Sequence, residues 1–308
     1  MTSLATAAPP IVSAAVRTAS FDVEPCTPAI GAEISGLSLA DIARDPDLVR
    51  EVRRLWLKHK VLFFRNQAID AVMLQDFASC FGELEAHPTM RMHPDAPLIL
   101  PISRNLDPGK PNIAEQTSRE NMWHADTAYV SAPARGSMLA CEMCPPCGGD
   151  TIWSNMVLAY ERLPERIKER LEGLYAKHSL EQVFGAQLPI DKRKKLAAKA
   201  PMVEHPVVCT HPETGERLLF VNQFSTSHFV NFYNFKDVRY GQDFFESGAL
   251  LNFLVQQPQI PEYQVRLRWR PGTVAMWDNL LCQHYAVYDY GAAPRKMLRA
   301  TFKGTPIA

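Results

Sequence analysis

Between residues 265 and 270 the chain alternates Val265, Leu267 and Trp269 with Arg266, Arg268 and Arg270, and no other stretch limits the fold so tightly. Strict alternation turns every apolar side chain to one face and every guanidinium to the other, the mark of a half-buried strand. Pro271-Gly272 turns this strand into the apolar run 274–277, and 296–302 supplies a closing strand. Upstream, 139–143 and 151–153 read as strands split by Pro145-Pro146-Cys147-Gly148-Gly149. A hairpin is signalled by 203–210 and 217–221 around Pro212-Glu213-Thr214-Gly215. Near the start, 21–39 reads as short strands and turns punctuated by Gly31 and Gly36, and 61–64 as a short buried strand.

Helical patterns fill the gaps. Asp45 suits an N-cap and Pro46 a first turn, ahead of the stripe Leu48, Val49, Val52, Leu55 and Trp56. Further helices are expected over 73–81, over 159–177 with Pro164 starting a second segment, and over 244–255. Strands on both sides of a helical insert imply a mainly β chain with helices (α+β), built on one sandwich or jelly-roll core. With 308 residues, 46% apolar, one domain over 20–308 can bury a large core. Residues 1–19, rich in Ala, Ser and Thr, read as a flexible tail.

Lys plus Arg (33) balances Asp plus Glu (33), so charge gives no reason to expect a nucleic-acid or other polyanionic partner. The basic run Lys192-Arg193-Lys194-Lys195 reads as a solvated helix end or loop. No apolar run approaches a membrane span, and the first residues lack the basic region of a secretory signal. With seven cysteines, an odd number, this points to free thiols in the cytoplasm. Cys141, Cys144 and Cys147 lack a fourth cysteine at a usual cluster spacing and read as incidental. A homo-oligomer is compatible with the sequence.

His124-Ala125-Asp126 carries the chemistry. In an extended segment, alternate residues share a face, so the imidazole and the carboxylate point the same way. With the remote His284, two imidazoles and one carboxylate form the set that holds non-haem Fe(II) and leaves positions open. Arg295 and Arg299 follow His284 by eleven and fifteen residues, in a last strand expected to run beside it. Thr151 follows His124 by twenty-seven.

These pieces, with Val61-Leu62-Phe63-Phe64-Arg65-Asn66-Gln67, Phe81-Gly82-Glu83-Leu84, Gly148-Gly149-Asp150-Thr151-Ile152-Trp153 and Trp277-Asp278-Asn279, run in a characteristic order. In that order the chain resembles the taurine dioxygenase and 2,4-D dioxygenase family of Fe(II)/2-oxoglutarate-dependent oxygenases. The resemblance implies a double-stranded β-helix (jelly-roll) core, with His124, Asp126 and His284 as metal ligands and catalytic centre. It gives Thr151 and Arg299 to the distal carboxylate of 2-oxoglutarate, with Arg295 as a second contributor, and O2 as the third reactant. A guanidinium pairs bidentately with a carboxylate, as that role requires.

For the substrate, a small organic acid or secondary metabolite, the resemblance points to His87. Met90 stands where sulfonate enzymes carry a tyrosine, and Glu120 replaces an asparagine, which disfavours taurine itself. Hydroxylation is the default outcome, with desaturation or carbon–heteroatom cleavage as alternatives. Phe224, Phe229, Phe232 and Tyr233 are offered as an aromatic wall, and 187–201 as a mobile lid. Trp123, Trp153 and Trp277 read as core, and Asp278 as turn structure. Two rival readings are a non-catalytic jelly-roll protein that binds a small acid or metal, and a zinc hydrolase, which has no use for an arginine awaiting a dicarboxylate.

Overall fold

The structure is a computed structural model that describes residues 16–18, 21–87, 90–106, 120–185, 188–232 and 242–307. Most of the expected tail, together with Gln187 and Tyr233, lies outside the described residues.

The chain opens with β1 (Val16–Thr18), β2 (Phe21–Pro25), β3 (Ala32–Ser35), α1 (Leu39–Arg44), α2 (Pro46–His59), β4 (Val61–Phe64) and α3 (Ala71–Ser79). It continues through β5 (Ile99–Arg104), β6 (Gly136–Met143), β7 (Thr151–Asn155), α4 (Met156–Glu161), α5 (Glu165–Leu171), β8 (Tyr175–His178), α6 (Leu180–Phe184) and α7 (Ile190–Lys199). Then come β9 (Val203–Pro206), β10 (Val208–Thr210), β11 (Arg217–Leu219), β12 (Thr226–Phe229), α8 (Gln242–Val255), β13 (Gln264–Leu267), β14 (Val274–Asp278), β15 (Cys282–Ala286) and β16 (Arg295–Phe302).

An eight-stranded sheet, β1-β2-β3-β4-β14-β6-β16-β5, is the backbone of the molecule, and β13-β7-β15 form a second sheet. Both faces of the large sheet are covered, which is why β4 is apolar throughout rather than alternating. Leu62 and Phe64 join Val52, Trp56, Leu74 and Phe77 of α2 and α3 on one face. Val61 and Phe63 face the other way, toward the second sheet. There Trp153 of β7 fills the space between sheets, its ring 5.4 Å from Phe63 and 5.6 Å from Trp277. Asp45 caps α2 as its chemistry requires, accepting from the backbone N–H groups of Asp47 and Leu48, with Pro46 in the first turn.

Several expectations need correction. Within 159–177 two short helices end at Glu161 and Leu171, and Gly173 then takes φ +68°. The chain emerges as β8, whose Ala176 and His178 are buried while it pairs with β9 and β12. Pairing across the small sheet overrides the local helical pattern. The run 203–210 is two strands, because Val207 turns its N–H to the Leu174 carbonyl before β10 joins β11 in the expected hairpin. Leu39 begins a helix capped by the Ser38 hydroxyl. Strand β5 escaped notice because Pro101 lies within it; it is an edge strand, where a missing N–H is tolerated. Residues 16–18 of the expected tail pair with β2. In the proposed lid region, α7 has no buried residue and is tied to α6 by the Arg193–Glu181 pair.

Candidate functional site

His124 lies outside any regular strand. It forms one antiparallel bridge with His284, the two backbones exchanging N–H···O bonds of 3.0 and 2.8 Å. His284 itself lies within β15 rather than between strands, and β16 pairs with β6 and β5 in the opposite sheet. The site therefore forms between the sheets, with His284 from one and the arginines from the other. A single bridge suffices to bring the two imidazoles together, with ring centroids 4.0 Å apart and planes tilted by 46°. Asp126 follows at the start of a turn whose next residue, Thr127, has φ +53°.

Ligand atoms of His124, Asp126 and His284 all lie within 4.8 Å of one another, and all three residues are buried. His124 Nδ1 is 2.7 Å from the Met122 carbonyl, which can only accept, so Nδ1 carries the hydrogen and Nε2 keeps its lone pair. His284 Nδ1 is buried without a hydrogen-bond partner among the described residues, and Nε2 lies 3.9 Å from Asp126 Oδ1. Burial first, then the neighbouring His124, push the His284 pKa down to about 3, so the imidazole is neutral and its lone pair available. Burial opposes the charge of Asp126, but Arg299, the imidazoles and the Ser137 hydroxyl outweigh it and hold the carboxyl below the usual carboxylate range. Two imidazoles and an ionised carboxylate fit a divalent transition-metal ion such as Fe(II) with open positions.

A cleft beside the triad is lined by Thr151, Arg295, Arg299, Glu120, Leu139 and Ile102. Arg295 is buried, and its Nε and that of Arg299 have no hydrogen-bond partner among the described residues. Buried unpaired guanidinium N–H groups are costly unless an anion completes them. Thr151 Oγ accepts from Trp269 Nε1 at 2.9 Å, which leaves its own hydrogen to donate. Glu120 accepts from the Tyr288 hydroxyl at 2.6 Å and pairs with Arg104 at 3.6 Å, so its charge is locally compensated. Burial opposes that charge, but the Tyr288 hydrogen bond and then Arg104 hold its pKa down.

On the other side of Arg299 a second cavity is lined by His87, Tyr129, Val130, Met92, Leu98 and Leu100. Met90 stays outside it: the side chain is exposed, and the residue's N–H donates to His87 Nδ1. Phe229 is also not brought to the site, since it is buried against Phe232 at 5.7 Å. Phe224 is, its ring 4.9 Å from that of His124. Asp278 is turn structure as expected, its Oδ1 accepting from the N–H groups of Leu280 and Leu281. Cys141 is buried and Cys147 exposed, and the three cysteines join no metal-type cluster among the described residues.

Sequence reasoning missed Ser137, Asn279 and Trp269. Ser137 donates to Asp126 Oδ2 at 2.6 Å, and Asn279 Nδ2 donates to Ser137 Oγ at 3.1 Å. The one available signal was that a buried indole needs an acceptor, which directs attention to Trp269, two residues past the end of β13.

Comparison with known proteins agrees with this chemistry. The profile of the taurine catabolism dioxygenase TauD, TfdA family matches residues 22–301, and the chain belongs to that family. It is 36% identical over 296 residues to an alpha-ketoglutarate-dependent sulfate ester dioxygenase of Pseudomonas putida, covering 92% of this chain and 90% of that one. An alkylsulfatase of Acinetobacter baylyi is 35% identical, covering 93% of this chain and 86% of its own length. Among solved structures, a taurine dioxygenase from Burkholderia xenovorans superposes with a TM-score of 0.74 at 31% identity, covering 94% and 91% of the two chains. The protein is thus an oxidoreductase, a dioxygenase that uses Fe(II), 2-oxoglutarate (alpha-ketoglutarate) and O2. Among the described residues, no helix is long and apolar enough to cross a membrane.

Proposed function

We propose that this dioxygenase oxidises a small organic anion with an apolar tail, most closely an alkyl sulfate ester, in one catalytic domain spanning 20–308 on a double-stranded β-helix core. The observation that carries the reading is the position of Arg299, which lines both the cleft with Thr151 and the second cavity, where His87 and Glu85 stand beside Met92, Leu98, Leu100 and Val130.

His124 Nε2, Asp126 Oδ1 and His284 Nε2 would hold the iron. When bound, Fe(II) supplies the O2-dependent decarboxylation of 2-oxoglutarate to succinate and CO2, coupled to oxygenation of the substrate. A five-carbon diacid whose keto end chelates a metal carries its far carboxylate several ångströms away. Arg299 Nη1 lies only 3.4 Å from Asp126 Oδ1, beside the metal position. Arg295, buried in the same cleft as Thr151, suits the far carboxylate better, assisted by the Thr151 hydroxyl. The resemblance gave Arg299 precedence in that role; its 3.4 Å approach to Asp126 supports Arg295 instead.

Arg299 is then available to the substrate anion, with His87 beside it, while Leu98, Leu100, Met92 and Val130 line the cavity for a hydrocarbon tail. The Glu120 carboxylate, paired with Tyr288 and Arg104 on the co-substrate side, does not face a substrate anion alone. Hydroxylation at the carbon bearing the sulfate oxygen gives an unstable hemiacetal ester, which collapses to an aldehyde and inorganic sulfate. The sulfate ester relative in Pseudomonas putida supports this choice over a sulfonate. The test is a succinate-release assay over alkyl sulfates, taurine and aryloxy acids, with sulfate measured alongside. Equimolar succinate and sulfate with an alkyl sulfate are expected; turnover with taurine or aryloxy acids alone would refute the substrate class.

A further inference from the structure

Behind Asp126 runs a hydrogen-bonded chain whose direction is forced from one end. Trp277 Nε1 has a hydrogen and no lone pair, and it lies 2.9 Å from Asn279 Oδ1. The Asp126 backbone N–H, also a donor only, lies 3.3 Å from the same oxygen. With its oxygen pinned by two donors, Asn279 presents Nδ2 to Ser137 Oγ at 3.1 Å, and nitrogen there must donate. Ser137, accepting from Asn279, has one hydrogen to give, and Asp126 Oδ2 takes it at 2.6 Å. Ser137 is 0% exposed, Asn279 1% and Trp277 2%, so the relay is shielded from bulk solvent.

Asn279 is itself held from outside the site. Asp278 Oδ2 pairs with Arg135 Nη1 at 3.1 Å and with His211 Nε2 at 3.2 Å, fixing the turn that follows β14. The Asn279 N–H donates to the Arg135 carbonyl at 3.0 Å. Ser137 comes from β6, where sheet register sets it opposite Trp277. The chain thus couples two strands of the large sheet to the carboxylate between the sheets.

The two oxygens of Asp126 are consequently unequal. Oδ2 is committed to Ser137, whereas Oδ1 faces His284 and Arg299. The geometry points to Trp277, Asn279 and Ser137 as a positioning relay that holds Asp126 as a one-oxygen ligand, through Oδ1, at the proposed iron site. A carboxylate free to turn could present both oxygens and fill a position that the keto acid or O2 needs. The inference rests on the iron-ligand assignment above. Ser137 and Asn279 need not touch substrate or metal and act through Asp126, as outer partners of metal ligands do. Trp277, whose ring also lines the cleft beside His284, orients Asn279 through its indole N–H.

The test needs no turnover. Co(II), an ion whose visible bands report ligand number, is titrated into the apoprotein of wild type, Ser137→Ala, Ser137→Thr and Asn279→Asp. Ser137→Ala is expected to weaken Co(II) binding about tenfold, the lower end for lost outer partners, and to alter the bands. Ser137→Thr, which keeps the hydroxyl, should restore the wild-type spectrum. Asn279→Asp keeps the acceptor for Trp277 but draws the Ser137 hydrogen away from Asp126, so it should match Ser137→Ala even if that variant folds poorly. Ser225→Ala serves as control, since it removes an equally buried hydroxyl from the turn that precedes β12. Unchanged Co(II) affinity and bands in Ser137→Ala and Asn279→Asp would overturn the relay, as would an equal loss in Ser225→Ala. Failure of the wild-type protein to bind Co(II) at all would overturn the iron assignment first, and the relay with it.

Discussion

Arg299 Nη1 lies 3.4 Å from Asp126 Oδ1, so a strand of the large sheet delivers a cation to the edge of the triad while Arg295 of the same strand remains buried beside Thr151. The two arginines should therefore separate in kinetics. Arg295→Ala is expected to raise KM for 2-oxoglutarate about 10- to 100-fold, the loss of a charge-assisted hydrogen bond. Arg299→Ala should raise KM for the organic anion more than that for 2-oxoglutarate. Steady-state measurements with each reactant varied in turn decide this, and the opposite pattern would return Arg299 to the co-substrate.

Trp269 offers a finer probe of the same cleft. Its indole N–H occupies a lone pair of Thr151 Oγ at 2.9 Å and leaves the hydroxyl hydrogen for an anion. Trp269→Phe removes that donor and, because Trp269 is buried in the core, also leaves a small cavity. KM for 2-oxoglutarate should rise about 3- to 10-fold, the net effect of one neutral hydrogen bond, while Fe(II) affinity stays unchanged. An unaltered KM would show that the Trp269 hydrogen bond does not orient the Thr151 hydroxyl for binding.

Gly136 begins β6, immediately before Ser137. A Cβ there would lie 2.7 Å from the Trp277 carbonyl and 2.7 Å from the Trp56 ring. Backbone on one side and a buried indole on the other leave no room to give. Gly136→Ala should lower stability by about 1–3 kcal/mol through overpacking, read as a drop in the urea midpoint with no change in slope. A wild-type midpoint would mean that the two strands can separate at no cost.

Acid should weaken the fold through His178. Burial, and then His205, push its pKa down to about 3, and Nδ1 is engaged with the Ser225 hydroxyl. Unfolded, the same ring titrates near its ordinary value of about 6.5. Between these values the unfolded chain binds the extra proton, so stability rises with pH and is lost as pH falls through the window. From pH 7 to 5 this one group should cost about 2 kcal/mol. Urea unfolding at both pH values should show a smaller acid loss in His178→Gln than in wild type. Equal losses would remove His178 as the cause.

The parts of the fold legible in the sequence were those whose pattern is local. The alternation of Val265 and Leu267 with Arg266, the Asp45-Pro46 start of α2 and the all-apolar β4 each follow from the burial of one strand face, one helix stripe or both sheet faces, although the strand stops at Leu267 and Trp269 is buried beyond its end. Strand β8 was misread as helix because its pairing with β9 and β12 is a long-range event. The triad was found because His124, Asp126 and His284 are unusual residue types in a familiar order. Ser137 and Asn279 were not found, because a serine in a strand and an asparagine in a turn acquire meaning only when sheet register sets them beside Asp126. The substrate side was the least legible: Met90 faces solvent while Met92, two residues on, lines the cavity.

The central claim is that His124, Asp126 and His284 hold Fe(II) with open positions for 2-oxoglutarate. Anaerobic addition of Fe(II) and then 2-oxoglutarate to the apoprotein tests it directly. A weak visible charge-transfer band should appear on adding the keto acid, and it should be absent in His124→Ala. No band in the wild-type protein, or an undiminished band in His124→Ala, would contradict the assignment.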